Sequence, residues 1–320
     1  VADFTPSRIG QVNEAGDAKA IFLEVFSGMV LEAFDTNQVT DTRVTKRNIK
    51  SGKSAQFPLI WKANALYHTA GEELDGQKIS HAKKTISIEE LLVADVFVDV
   101  LDEAMNHYEV RAEYSHQLGE ALGNAYDSNN FRCIWAGGAA SHPITEAQAA
   151  PDSNGEVISA ANMTTSATAI KAAIYDGAMT LDQKNVPDSD RYCALPPLGW
   201  YLLLEDGEFI HRDYAGEGSQ ARAKMPFAAD LQILKTNNIP TTDESTSVPE
   251  DVPSALQLDF TGYAGAIWHK GAVGVVKLLD LKTEEEYSVR HQGSLLVAKY
   301  AIGQSYLRTE CSVVLDDSSL

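Results

Sequence analysis

One helix constrains the fold of this chain more than any other segment. From about Asp102 to Trp135 the sequence reads DEAMNHYEVRAEYSHQLGEALGNAYDSNNFRCIW, without a proline. Apolar or small residues recur at Leu101, Ala104, Met105, Tyr108, Ala112, Ser115, Leu118, Leu122 and Ala125, the spacing of one helical stripe. At the α-helical rise such a helix runs roughly 50 Å. A compact chain of 320 residues has a radius of gyration of about 20 Å. The helix is therefore expected to span the whole molecule, which suits a flat, elongated subunit whose outer surfaces are finished by neighbours.

Hydrophobic residues make up 44% of the chain, enough for a sizeable core in one or two domains. No apolar run is long enough for a membrane span, so no membrane contact is expected. The opening residues VADFTPSRIG carry no basic flank before an apolar run, so no secretory leader is expected. Cys133, Cys193 and Cys311 are far apart and form no CxxC pair, which fits a reducing compartment. The formal net charge is −19. Residues 1–60 are balanced, and residues 61–270 carry nearly all of the excess. The only basic cluster is Arg43, Lys46, Arg47, Lys50 and Lys53. So acidic a chain makes a poor sequence-specific DNA binder, because each phosphate contact needs a local cation.

Along the chain, Asp17 can cap an amphipathic helix carrying Ile21, Phe22, Val25, Phe26, Met29, Val30, Ala33 and Phe34. An extended stretch with the basic cluster follows. A long hairpin is expected next, with one arm near Ala55 to Trp61 and a return arm near Lys84 to Val100. A lone two-stranded hairpin is marginal in water, and Trp61, Leu66, Tyr67 and Ile79 are too apolar for a free loop. It is expected to lie on a neighbouring subunit. After Gly137–Gly138 a small-residue linker leads to a middle region. That region has helices near 166–184 and 198–205, and strands near 192–195 and at DLQILKTNNIP. The acidic stretch TTDESTSVPEDVPS reads as disordered. Strands are expected at 264–268, 273–279, 294–302 and 311–315. No internal repeat is present.

Fragments that could carry chemistry do not complete. SGKS at Ser51–Ser54 ends like a phosphate-binding loop, but Arg47 stands where its first glycine belongs. Glu113 and His116 form half of a di-iron pattern without the other half. His107 and His116 point to opposite sides of their helix, and no HExxH occurs. DSNGE at Asp152–Glu156 has its glycine one position early for a calcium loop. No GxSxG elbow is present. Neither an enzyme nor a cofactor is expected; a soluble hydrolase would need a nucleophile and base that the sequence does not bring together.

The sequence nevertheless resembles a family. SGKSAQFP at Ser51–Pro58, VADV at Val93–Val96, and above all AMNHYEVRAEYSHQLGEAL at Ala104–Leu122 are similar to segments of the major capsid proteins of T7-like short-tailed bacteriophages. NVPDSDRYC at Asn185–Cys193, HKGAVGVVKLLDL at His269–Leu281 and AKYAIGQSYLR at Ala298–Arg308 follow in the same order. The resemblance implies the α+β HK97-type capsid fold. Its parts would be an N-terminal arm (1–50), an extended E-loop (51–90), a peripheral domain (91–145 and 262–320) with a long spine helix, and an axial domain (146–261).

The function implied is a structural subunit that self-assembles as hexamers and pentamers into an icosahedral phage head of T=7 type. That shell would be assembled in the host cytoplasm and would enclose double-stranded DNA without sequence-specific binding. Implied partners are the chain itself, a scaffolding protein, a portal protein and decoration proteins. The E-loop contacts expected to reach a neighbour are Phe57, Trp61, Leu66, Tyr67, Glu72, Glu73, Lys83 and Lys84. The basic cluster is assigned to inter-subunit, scaffold or DNA contact. Inter-subunit pairing is favoured, because no aromatic side chains interleave for base stacking. An encapsulin-like cellular compartment shell is the alternative with the same fold.

Overall fold

The computed structural model describes residues 29–30, 32–34, 38–63, 65, 67–68, 71, 73, 76, 78–88, 90–99, 110–144, 153–206, 227–246, 249, 251–317 and 319, with backbone only at 110–112. The amphipathic arm helix expected from Asp17 therefore lies mostly outside the described residues, as do 100–109, Leu66 and Glu72. The long helix is described as α1, Val110–Gly138. Its 29 residues run about 44 Å. It continues three residues past the expected end at Trp135.

Four strands precede it: β1 (Thr45–Asn48), β2 (Ser54–Ile60), β3 (His81–Ser87) and β4 (Leu92–Asp99). The return arm expected as one strand from Lys84 to Val100 is two strands, β3 ending at Ser87 and β4 beginning at Leu92. β3 pairs with β2, whereas β4 joins another sheet. Beyond α1 come β5 (Glu156–Ala160), α2 (Ala167–Gln183), β6 (Arg191–Leu195), α3 (Pro197–Asp206), β7 (Phe227–Ala228) and β8 (Leu231–Lys235). The chain closes with β9 (Tyr263–His269), β10 (Val273–Ser288), β11 (Gly293–Tyr306) and β12 (Ser312–Asp317).

β5 falls where the sequence suggests a linker. Its residues EVISA alternate weakly, and it exists because it pairs in parallel with β12. β10 and β11 run well past their expected ends. Their antiparallel register continues from Val273↔Tyr306 to Ser288↔Gly293. The run KTEEEYS has little strand propensity of its own. Cross-strand hydrogen bonding to the apolar β11 holds it extended.

Two main sheets result. One has the order β1-β10-β11-β4 and forms a long ribbon. The other has the order β5-β12-β9-β6-β8-β7, and so joins strands from both sides of residues 261/262. Strand alternation sandwiches this second sheet between helices. A Cβ on Gly177 of α2 would come 2.4 Å from Ile267 Cδ1. The next residue, Trp268, turns the other way and meets Phe131 of α1 edge-to-face at 5.8 Å.

α1 departs from the simple one-stripe reading. Its first described turns keep Glu113, His116 and Gln117 exposed, but residues 122–134 are buried on almost every side. That stretch includes the polar Asp127, Asn129, Asn130 and Arg132. Buried polar groups need partners, and each finds one far away in sequence. The acidic stretch expected to be disordered supplies one of them. Glu244 is 3% exposed and accepts from Arg132 Nε and Nη2, both at 2.7 Å. Val252 and Leu256 enter the main core.

Candidate assembly surfaces

The hairpin of β2 and β3 pairs from Ser54↔Ser87 to Ile60↔His81. Its inner face buries Ala55, Leu59, Ile86 and Ile88. Ala55, Ile86 and Ile88 pack with Val276, Ala301 and Leu307 of its own chain. Two glycines permit this approach. A Cβ on Gly274 would lie 2.8 Å from Ile86 Cδ1, and one on Gly303 would lie 2.5 Å from the Ser87 carbonyl. The root of this hairpin thus has a surface within its own subunit. The sequence could not reveal this, because the receiving residues stand about 200 positions later.

Three of the expected contact residues are taken up within the chain. Trp61 packs on the ring of His142 at 5.1 Å between centroids. Lys84 Nζ sits 3.5 Å from the centre of the Tyr306 ring, and Phe57 lies under the Arg47 guanidinium at 5.7 Å. His142 is buried, and its Nδ1 accepts the Ile144 N–H at 3.2 Å. Burial lowers its pKa, against an opposing pull from Glu310. The distal part differs. Tyr67 is fully exposed, Ile60 is 63% exposed, and Glu73 and Lys83 face solvent.

The basic cluster divides. Arg43 turns inward, donates to the Val39 carbonyl and stacks on Tyr192 at 5.4 Å. Lys46 pairs with Asp41. Arg47 donates to the Gln56 carbonyl at 2.7 Å. Lys50 and Lys53 are exposed and form no ion pair among the described residues. Three of the five cations are thus engaged locally, and two remain open.

Two buried carboxylates tie the periphery to the core. Asp127 of α1 accepts from the Val39 N–H at 2.6 Å, the Thr40 N–H at 3.0 Å and the Thr40 hydroxyl at 2.5 Å. Asn130 donates to the same hydroxyl at 2.7 Å, and Gln304 donates to Asn130 at 2.8 Å. Burial raises the Asp127 pKa, an effect only partly offset by these donors. The chain entering β1 is thus pinned to α1 and β11. At the other end, Asp317 accepts from the Asn162 N–H, the Thr164 N–H and hydroxyl, and the Ser319 N–H and hydroxyl. Burial alone would raise its pKa, but these donors together carry it well below the usual carboxylate value. The three thiols are buried, and burial pushes each up to about 12, which removes them as nucleophiles at neutral pH.

The described surfaces thus amount to a half-docked hairpin, an open cationic turn and a long ribbon, an arrangement suited to contact with other macromolecules. Comparison with known proteins agrees. The family model of Gp10A-like major capsid proteins matches residues 56–316. The major capsid protein of Escherichia phage T7 is 34% identical over 325 residues, covering 93% of this chain and 92% of that one. That of Enterobacteria phage T3 is 30% identical over 333 residues, covering 95% and 93%. Among solved structures, the capsid of Cyanophage P-SCSP1u superposes with a TM-score of 0.77 at 34% identity, over 99% of both chains. The α+β architecture is accordingly the HK97-type capsid fold. The chain belongs to the Gp10A-like family of major capsid proteins, non-enzymatic subunits that assemble into the shell of a phage head.

Proposed function

We propose that this subunit builds hexamers and pentamers that close into an icosahedral head of T=7 type around double-stranded DNA. A scaffolding protein, a portal protein and decoration proteins are its further partners. In this reading 1–50 is the arm, 51–90 the E-loop, 91–145 with 262–320 the peripheral domain and 146–261 the axial domain. Head-to-tail contacts between copies are heterologous, and such contacts close into rings. The single observation carrying the reading is the two-part hairpin. Its root is anchored on its own sheet, while Ile60, Tyr67 and Ile79 project into solvent. Exposed apolar groups on a strand pair that cannot stand alone favour burial on another copy.

The hairpin side chains assigned to that contact are Phe57, Trp61, Leu66, Tyr67, Glu72, Glu73, Lys83 and Lys84. The phage shell is favoured over a cellular compartment shell by sequence relatives that are phage capsid proteins. Deleting residues 69–77 tests the assignment. The variant is expected to be a folded, soluble subunit that assembles poorly, and normal shells from it would overturn the E-loop role.

The net charge of −19 suits a container whose lining repels DNA and leaves it mobile for ejection. Tight capture of subunits by double-stranded DNA at low salt would rule this out.

A further inference from the structure

The sequence DSNGE, incomplete as a calcium loop, contains the one Asn-Gly pair of this chain, Asn154–Gly155. An asparagine followed by glycine is the amide most prone to cyclise in mild base. With no side chain on the following residue, the backbone nitrogen reaches the asparagine Cγ unhindered. Every other asparagine of this chain is followed by a residue with a side chain. Packing forbids that remedy at position 155. A Cβ on Gly155 would lie 2.1 Å from the Gly137 carbonyl oxygen and 2.4 Å from that of Gly138. Two backbones cross there with room for glycine alone, so the fold itself imposes the labile pair.

The same crossing holds every group that the cyclisation must move. The peptide group joining Asn154 to Gly155 is rigid and planar, and both of its edges are engaged. Its carbonyl accepts from Lys184 Nζ at 2.8 Å, and its N–H donates to the Ala140 carbonyl at 3.1 Å. The Asn154 side chain is held as well, with Oδ1 accepting from the His142 N–H at 2.9 Å. One residue earlier, the Ser153 carbonyl accepts from the Thr309 hydroxyl at 2.9 Å. Ser153 and Thr309 are buried, and so is the Lys184 side chain, just after α2. Residues 153–155 thus form a strap that ties the end of α1, the end of α2 and the turn entering β12. For the Gly155 nitrogen to swing onto Asn154 Cγ, the peptide plane must leave both Lys184 and Ala140.

We propose that Asn154–Gly155 is a deamidation site gated by this strap: unreactive while the strap is closed, converted once it opens, and unable to close again as isoaspartate. In the open chain the Gly155 nitrogen gives up its proton to solvent base and bonds to Asn154 Cγ. The side-chain nitrogen leaves as ammonia. Water then opens the cyclic imide at either carbonyl, giving aspartate or isoaspartate. Isoaspartate routes the main chain through Cβ and so inserts one extra carbon ahead of the Gly155 nitrogen. The crossing has no clearance for that carbon, and the carbonyl and N–H lose the spacing that meets Lys184 and Ala140. Aspartate keeps the original main chain and an oxygen facing the His142 N–H. A subunit that lingers open is thereby withdrawn irreversibly from the folded pool.

Full-length subunits incubated in mildly alkaline buffer, with and without urea, test it by peptide mass mapping of residue 154. Conversion in the folded subunit is expected to be at least about a hundredfold slower than in urea. Equal rates overturn the gate. Lys184→Met frees one edge of the peptide and leaves the crossing glycines in place. It should speed conversion in the folded state by about tenfold, and an unchanged rate in a variant that melts normally overturns the proposal. Should that variant fail to fold, Thr309→Val, which frees the Ser153 carbonyl, provides the same reading. Chains aged in urea are then returned to buffer and the soluble folded fraction is mapped. Isoaspartate should be depleted about tenfold relative to aspartate, and equal recovery of the two overturns the exclusion. Asn154→Asp is expected to refold like the unaltered chain. Its failure would place the fault in the added charge and overturn the argument from the extra carbon.

Discussion

Arg132 and Glu244 form a two-pronged ion pair across 112 residues of sequence, with both side chains about 95% buried. Asn129 supports the guanidinium through Nη1 at 2.9 Å and also donates to the Asp251 carbonyl at 3.3 Å. The pair thus holds the acidic segment around Glu244 against the middle of α1.

Removing one partner leaves an uncompensated buried charge. Glu244→Ala or Arg132→Ala is expected to destabilise the subunit by about 3–5 kcal/mol. Replacing both with apolar residues of similar volume should cost less than either single change. Urea unfolding of the three variants checks the order, and equal losses would mean that the pair itself contributes the stability.

Gly119 marks where the arm crosses α1. A Cβ there would lie 2.5 Å from the Val30 carbonyl and 2.8 Å from Ala33 Cβ. Backbone cannot yield as a flexible side-chain end can. Gly119→Ala is expected to dislodge residues 29–34 at a cost of roughly 1–3 kcal/mol. Amide exchange at Val30 and Phe34 should accelerate, with little change at β9 or β12.

Trp61 packs over His142 at the far end of the β2–β3 ladder, beside the Leu59–Ile144 contact. Trp61→Ala removes a half-buried ring and is expected to cost about 1–3 kcal/mol locally. Exchange should rise at the β2 and β3 amides while the midpoint of global unfolding moves little. Unchanged exchange there would show that the Ile86 and Ile88 contacts alone hold the root.

Asp317 makes stability depend on pH in the acid range. Its folded pKa lies below the unfolded carboxylate value of 3.8, so the unfolded chain binds the proton more readily. Its contribution is complete above that unfolded value and is lost as pH falls through it towards the folded one. Asp317→Asn should lower stability at pH 7 by roughly 1–3 kcal/mol. It should also flatten the decline as pH falls from about 5 towards 2. Denaturant midpoints of both proteins across that range decide it.

Much of the architecture was legible where local pattern and tertiary use coincide. The helices near 166–184 and 198–205 and the strands β6, β8, β9 and β12 carry enough periodicity or apolar content to be read directly. The core of α1 is a different case. Asp127, Asn129, Asn130 and Arg132 read as a polar helical face, yet they are buried, because Thr40, Gln304 and Glu244 arrive from elsewhere to satisfy them. KTEEEYS lies past the strand end expected at 279 and is strand, because β11 holds its backbone. Phe57, Trp61 and Lys84 also find partners within their own subunit, which no local pattern reveals. The signal for that seating, Gly274 and Gly303, looks like ordinary strand glycine until the hairpin is placed over it.

By itself the sequence determined the elements whose periodicity is internal: a helix longer than a compact core needs, a hairpin too apolar to be free, and an acidic chain with one cationic turn. Only the tertiary structure decided which polar groups are buried and which charges stay unpaired. Those outcomes depend on partners 87 to 174 residues away, and no local pattern encodes a contact whose second half lies on another element.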